Sequence, residues 1–183
     1  MESLQGCFLI ATTRMPDPRF QKQVVYICAH STEEGAMGLV INHPTDHNLA
    51  EVMAGADLPV PPGGLPEIYL GGPVEPEAGF FLFSSEYETE QCIKITESTC
   101  LSNDIEILRN ISRGCPPARY LFALGYSGWA PGQLESELTN NGWLTLPAND
   151  DIIFDTPDSL KWQKAANLLG IDITTFDDMP GRA

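Results

Sequence analysis

The sequence predicts an α+β domain in which a mixed or antiparallel sheet curls toward a barrel, with helices at its flanks. Two observations predict this. Short apolar and β-branched runs come in groups rather than in strict alternation with helical stretches, which disfavours a doubly wound parallel sheet. The chain has 183 residues, 43% of them hydrophobic, which fits a single compact domain with one substantial core. Residues 1–173 are read as that domain. Residues 174–183 are polar and acidic and read as a flexible tail.

Taken in order, strands are predicted over 7–12, 23–29 and 37–41. Gly35 and Gly38 punctuate the last pair and place a hairpin around 32–35. Residues 13–20 hold Pro16 and Pro18, which rule out a regular helix or a central strand, so the segment reads as a loop pinned by Met15 and Phe20. A short helix follows over 48–55, with Asn48 as its cap and Leu49, Val52 and Met53 facing inward. Residues 58–66, rich in proline and glycine, form an exposed loop. Further strands are expected at 68–70, 79–84 and 92–96. Residues 102–113 predict a helix, with Asp104 near its start, Ile105, Leu108 and Ile111 on one face, and Gly114 beyond its end. A strand over 120–124 leads into a turn built on Gly125, Gly128 and Gly132, then a helix over 133–140. Short strands at 142–146 and 152–154 precede the last helix. Thr156 caps that helix, Pro157 and Asp158 occupy its first turn, and Gly170 stops it. Trp162, Ala165, Ala166 and Leu169 form its inner face.

Composition excludes some classes of function. The formal net charge is −15, from 25 acidic and 10 basic residues. Such a chain repels a phosphate backbone, and its densest basic group is only Arg14, Arg19 and Lys22, so nucleic acid is not an expected partner. No apolar run approaches the ~20 residues of a membrane-spanning helix, and the first residues lack a signal peptide's basic start and apolar stretch. The five cysteines are scattered, without a Cys-x-x-Cys pair. A disulfide framework is therefore not expected, and a cytoplasmic location is.

The motif Gly125-Tyr126-Ser127-Gly128-Trp129 approaches the Gly-x-Ser-x-Gly nucleophile elbow, but Trp129 stands where the second glycine is needed. Cys28, His30, His43 and His47 are metal-ligating types, and Cys28 and His30, two apart on a strand, are expected on one side of it. Pro44 disfavours the helix that would align His43 with His47, and His30 reads more simply as a buried, hydrogen-bonded histidine. Gly71-Gly72-Pro73-Val74 lacks the lysine and Ser/Thr of a phosphate loop and reads as a chain reversal. Glu135 and Glu137, two apart on a helix, diverge and read as a solvated face. No catalytic residue, metal ligand or cofactor is assigned.

Several segments in fixed order resemble the AlgH/YqgE family of bacterial proteins: residues 6–12, Met15-Pro16-Asp17-Pro18-Arg19-Phe20, residues 24–30, residues 35–44, Gly71-Gly72-Pro73-Val74 and residues 124–135. Together they span almost the whole chain. The resemblance implies a compact α+β domain with a barrel-like mixed sheet. It implies no established biochemical activity. The family's name comes from a link to control of alginate production, and some members carry the label of transcriptional regulator. In the family the position of Ser127 is often alanine, which counts against a nucleophile there.

Irregular segments that carry exposed-type residues are where binding usually sits. The candidate ligand- or partner-binding residues are therefore Asp17, Arg19, Phe20, His30, Asn42, Pro44, Tyr126, Ser127, Trp129 and Gln133. The expectation is a non-enzymatic regulatory or binding protein that acts through a protein partner or a small ligand. Two alternatives stay open: a hydrolase or redox enzyme using His30 with Cys28 or Ser127, and a transcriptional regulator.

Overall fold

In the computed structural model, which describes residues 2–140 and 142–173, strands β1 (Cys7–Ala11), β2 (Val24–Ser31) and β3 (Gly35–Val40) form an antiparallel meander. The next elements are β4 (Pro44–Asn48), α1 (Leu49–Gly55), β5 (Glu67–Leu70), β6 (Val74–Ser84), β7 (Ile93–Lys94) and β8 (Thr99–Ser102). After them come α2 (Ile105–Ser112), β9 (Tyr120–Trp129), α3 (Gln133–Thr139), β10 (Trp143–Pro147), α4 (Asp150–Phe154) and α5 (Asp158–Leu168). The sheet order is β10-β1-β2-β3-β9-β6-β8-β7, with β5 parallel to β9 and β4 antiparallel to β5. The sheet is thus mixed, with a single parallel pairing among the described strands.

Alternation along the strands shows the curl. Phe8, Ile10, Val24, Tyr26 and Cys28 point to one side of the β1–β2 half and meet Leu82, Leu101, Leu121 and Ala123 from the β6–β8–β9 half. That shared cluster is the interior. The intervening residues Leu9, Ala11, Val25 and Ile27 face outward, under α3 and the 12–20 segment. Phe81, Phe83, Cys100 and Phe122 likewise face outward from the other half, under α1 and α2. A period of two puts successive side chains in different cores, which a flat sheet with one solvated face does not do. Ile152 and Ile153 of α4 and Ala165 and Ala166 of α5 close the interior. The Trp162 indole ties this lid to the sheet by donating to the Ala11 carbonyl at 2.8 Å.

The long strand β9 changes neighbours midway. Residues 122–124 pair with β5 and residues 127–129 with β3. At the changeover, residues 71–72 cross β9 so closely that a Cβ on Gly72 would fall on the Tyr126–Ser127 peptide, and one on Gly125 would meet the Gly72 carbonyl. Only glycine permits this approach. The Gly71-Gly72 pair is a crossing point.

Several expected elements differ. Residues 125–129 continue β9, and the turn is confined to 130–132. Residues 152–154, expected as a strand, belong to α4, which Asn149 caps by accepting from the Ile152 N–H at 3.1 Å. Residues 44–47, where Pro44 disfavours a helix, form β4 together with Asn48, an outer strand where proline is tolerated. Residues 97–101, left unassigned, supply most of β8. Ile105 is 47% exposed, because capping by Asp104 turns Ile107, Leu108 and Ile111 inward. Leu169 is also exposed, while Lys161 is buried on the inner side of α5. The Thr156 hydroxyl donates to the Asp151 carbonyl, and Pro157 precedes the first residue of α5. The expected tail, 174–183, lies outside the described residues. No helix among the described residues is long and apolar enough to cross a membrane.

Candidate functional site

The two prolines of the 13–20 segment set its path. Pro18 opens a single 3-10 turn (Pro18–Phe20), and Asp17 caps it by accepting from the Arg19 N–H at 2.9 Å. The Arg19 guanidinium returns to the same carboxylate at 2.6 Å, which holds Asp17 below the usual carboxylate range. This braced turn carries Phe20 over the outer face of β1 and β2, where its ring meets Trp143 at 5.6 Å and Trp129 at 6.5 Å. The two indoles lie 6.2 Å apart, edge to face.

Helix α3 fixes the indoles. Glu137 Oε2 accepts from Trp129 Nε1 at 3.0 Å and from Trp143 Nε1 at 2.8 Å, while its Oε1 accepts from Gln133 Nε2 at 3.0 Å. Gln133 Oε1 in turn accepts from the Ala130 N–H at 3.0 Å. Glu135 accepts from His30 Nε2 at 3.0 Å, and its pKa is lowered by hydrogen bonding to its own backbone and to His30. The two glutamates are therefore not a solvated face. They rivet a seven-residue helix onto the sheet.

Between the braced turn, the end of β9, α3 and the start of β10 lies a pocket of about 330 Å³. Asp17, Arg19, Phe20, Trp129 and Gln133 line it, together with Arg14, Met15, Pro16, Pro73, Glu137 and Trp143. Half of the candidate residues thus share one cavity. His30 and Tyr126 line a shallower groove on the other side of Gly128 and Trp129. Asn42 accepts from the Val24 N–H and donates to the Lys22 carbonyl, each at 3.0 Å, pinning the start of β2. Pro44 begins β4. The Ser127 hydroxyl is fully buried and donates to the Gly71 carbonyl at 3.2 Å.

Sequence reasoning missed Arg14, Glu137 and Trp143. Trp143 is indistinguishable from a core strand residue until α3 brings a carboxylate to its indole. For Glu137 the available signal was the pair of tryptophans flanking an acidic helix, since buried indole N–H groups need an acceptor.

Cys28, His30 and Ser127 do not form a reacting centre. A bulge between Ile27 and Ala29 shifts the β2–β3 register, and Cys28 is the extra residue. Cys28 packs in the interior, whereas His30 pairs with Ala36 and reaches α3 on the outer face, so the two point to opposite sides and not to one side as the spacing suggests. Burial pushes the Cys28 thiol up to about 12. His30 Nδ1 accepts from the Leu4 N–H at 3.0 Å, which leaves Nε2 as the protonated nitrogen facing Glu135. With both ring nitrogens engaged, His30 offers no free base. Among the described residues no three His, Cys, Asp or Glu side chains are grouped to hold a metal ion.

Comparison with known proteins agrees with the fold and with the motifs. The AlgH-like family matches residues 8–174. A UPF0301 protein of Desulfotalea psychrophila is 46% identical over 183 residues, covering 99% of this chain and 95% of the relative. The solution structure of AlgH from Pseudomonas aeruginosa superposes with a TM-score of 0.78 at 39% identity, covering 99% of this chain and 96% of that one. A protein of Corynebacterium diphtheriae shares the fold, with a TM-score of 0.73 at 20% identity over 92% of this chain and 88% of that one. The curled sheet, the Gly71-Gly72 crossing and the braced 15–20 turn therefore occur in a chain that belongs to the AlgH-like family.

Proposed function

We propose that this protein is a non-enzymatic binding protein, that the pocket beneath Phe20 receives a small ligand or a partner's side chain, and that its role is regulatory. One observation carries this: two segments more than a hundred residues apart, both in irregular or terminal positions, converge on an aromatic-walled cavity whose Asp17, Arg19, Gln133 and Glu137 side chains are pinned by hydrogen bonds. A cavity near 330 Å³ is at the lower end of small-molecule sites. Its carboxylates serve as structural acceptors, which suits recognition better than acid–base chemistry. Direct DNA binding gains no support, because the net charge is −15 and Arg19, one of the two arginines that line the pocket, is neutralised by Asp17.

The test is amide and indole NMR of the full chain titrated with a fragment library and with candidate partner proteins. Shifts are expected to cluster on Arg14 to Phe20, on Gly128 to Gln133 and on the Trp129 and Trp143 indoles. Phe20→Ala, which removes a half-exposed ring at the mouth, is expected to weaken binding about tenfold while leaving the rest of the spectrum in place. Shifts that gather elsewhere, or that Phe20→Ala leaves untouched, overturn the site.

A further inference from the structure

The pocket holds two charges that have no counter-ion among the described residues. Among the described residues, the Arg14 guanidinium has neither a hydrogen-bond partner nor an ion-pair partner, although Arg19 nearby is occupied by Asp17. Among the described residues Glu137 accepts three hydrogen bonds, all from neutral donors, and meets no cation. An ionised carboxylate has about four lone-pair sites, so one acceptor position remains. The rest of the wall is mixed: Met15, Pro16, Phe20 and Pro73 lie beside the two indoles, and the mutually paired Asp17 and Arg19, with Gln133 and Asn140, form its polar part. One cation and one anion left unpaired among the described residues, in a small cavity with an apolar flank, fit a ligand that carries both opposite charges and an apolar body.

We propose that the pocket binds a free α-amino acid with an apolar side chain, an inference that rests on the binding role given above. The ligand carboxylate takes the fork of Arg14, which suits two parallel N–H donors. The ligand ammonium takes the open acceptor of Glu137 and lies across the faces of Phe20 and Trp129, where a cation is attracted by the ring quadrupole. The side chain packs against Met15, Pro16 and Pro73. A single residue carries both charges on one carbon, beside its side chain, within a cavity of about 330 Å³.

Isothermal titration of leucine and phenylalanine into the full chain tests this, with N-acetyl-leucine, leucine amide and the doubly blocked N-acetyl-leucine amide as comparisons. Removing either ligand charge is expected to weaken binding about 10- to 100-fold, as for hydrogen bonds between charged groups. The variants should divide that loss. Arg14→Gln, at an exposed position, makes leucine and leucine amide bind alike. Glu137→Gln, which keeps an acceptor for the indoles, makes leucine and N-acetyl-leucine bind alike. Indole serves as an uncharged apolar probe. If indole shifts the Trp129 and Trp143 resonances and leucine binds no better than its doubly blocked form, the ligand class is wrong and the pocket stands. If no probe perturbs those resonances, the pocket falls with it.

Discussion

At the scale of single residues, burial decides which groups can react. Cys92 and Cys115 are exposed, Cys7 is half-buried, and Cys28 and Cys100 are enclosed. Burial pushes the Cys28 thiol up to about 12 and the Cys100 thiol up to about 11. At pH 8 a thiol near 12 is thiolate in only about one molecule in ten thousand, and the thiolate is the nucleophile. Titration with a disulfide reagent at pH 8 is therefore expected to count two rapidly reacting thiols in the native protein and five in denaturant; rapid modification of Cys28, located by mass spectrometry, would contradict the packing of β2. Lys161 is the other instructive residue. Its ammonium is buried, donates to the Ile41 carbonyl at 2.7 Å, pairs with Asp158 at 2.8 Å and lies 5.1 Å from the Tyr69 ring centroid. Burial lowers its pKa, outweighing the raising effect of Asp158. The unfolded chain therefore binds this proton more tightly than the folded one, so the penalty is fully present below the folded pKa and is relieved as pH rises toward 10.5. Urea titrations of wild type and Lys161→Met at intervals from pH 8 to 10.5 are expected to show the wild type gaining on the variant as pH rises. A constant difference would mean that the lysine titrates as in the unfolded chain.

At the scale of elements, α3 and the Gly71-Gly72 crossing hold the site together. A seven-residue helix is unstable alone, so α3 persists through Leu134 in the outer core and through Glu135 and Glu137. Glu137→Ala leaves two buried indole N–H groups without an acceptor and is expected to cost about 2–4 kcal/mol, with Glu137→Gln costing clearly less. Equal losses in urea unfolding would show that the indoles find other acceptors. Gly72→Ala places a methyl group on the Tyr126–Ser127 peptide and is expected to cost about 2–4 kcal/mol. Gly55→Ala, at the end of α1 with open space around it, should instead gain roughly 0.5 kcal/mol. These elements also mark the limits of the sequence. Helices α1, capped at Asn48, and α2, capped at Asp104, were legible because the cap is a local interaction, whereas the five-residue α4, capped at Asn149, read as a strand. The run 125–129 was not, because its glycines look like turn residues and their real cause, the crossing of residues 71–72, lies more than fifty residues away.

At the scale of the whole molecule, the sequence announced a curled sheet through grouped strands, yet it could not announce which faces meet. The bulge at Cys28 shows why: one unpaired residue reverses the side on which His30 emerges, and periodicity alone placed both on one side. The pocket was legible in halves, as the 15–20 segment and the 124–135 stretch, but their junction depends on Phe20, Trp129 and Trp143 packing together. The interior depends on a junction of the same kind. It is filled from both halves of the sheet, and its open end is closed by α4 and α5. Ile152 and Ile153 are at most 6% exposed, Ala165 and Ala166 fully buried, and the Trp162 indole is bonded to the first strand. Without this lid the inward side chains of β1 and β2, Phe8, Ile10, Val24 and Tyr26 among them, lose their cover. A chain ending at Ala148 retains every strand and still has no closed core. It is expected to lose cooperative thermal unfolding, bind a hydrophobic dye and give collapsed amide dispersion, even though the candidate pocket lies on the opposite face of β1 and β2. A sharp unfolding transition and intact Trp129 and Trp143 indole resonances in that truncated chain would show that the outer core folds independently, and that the site does not need the interior beneath it.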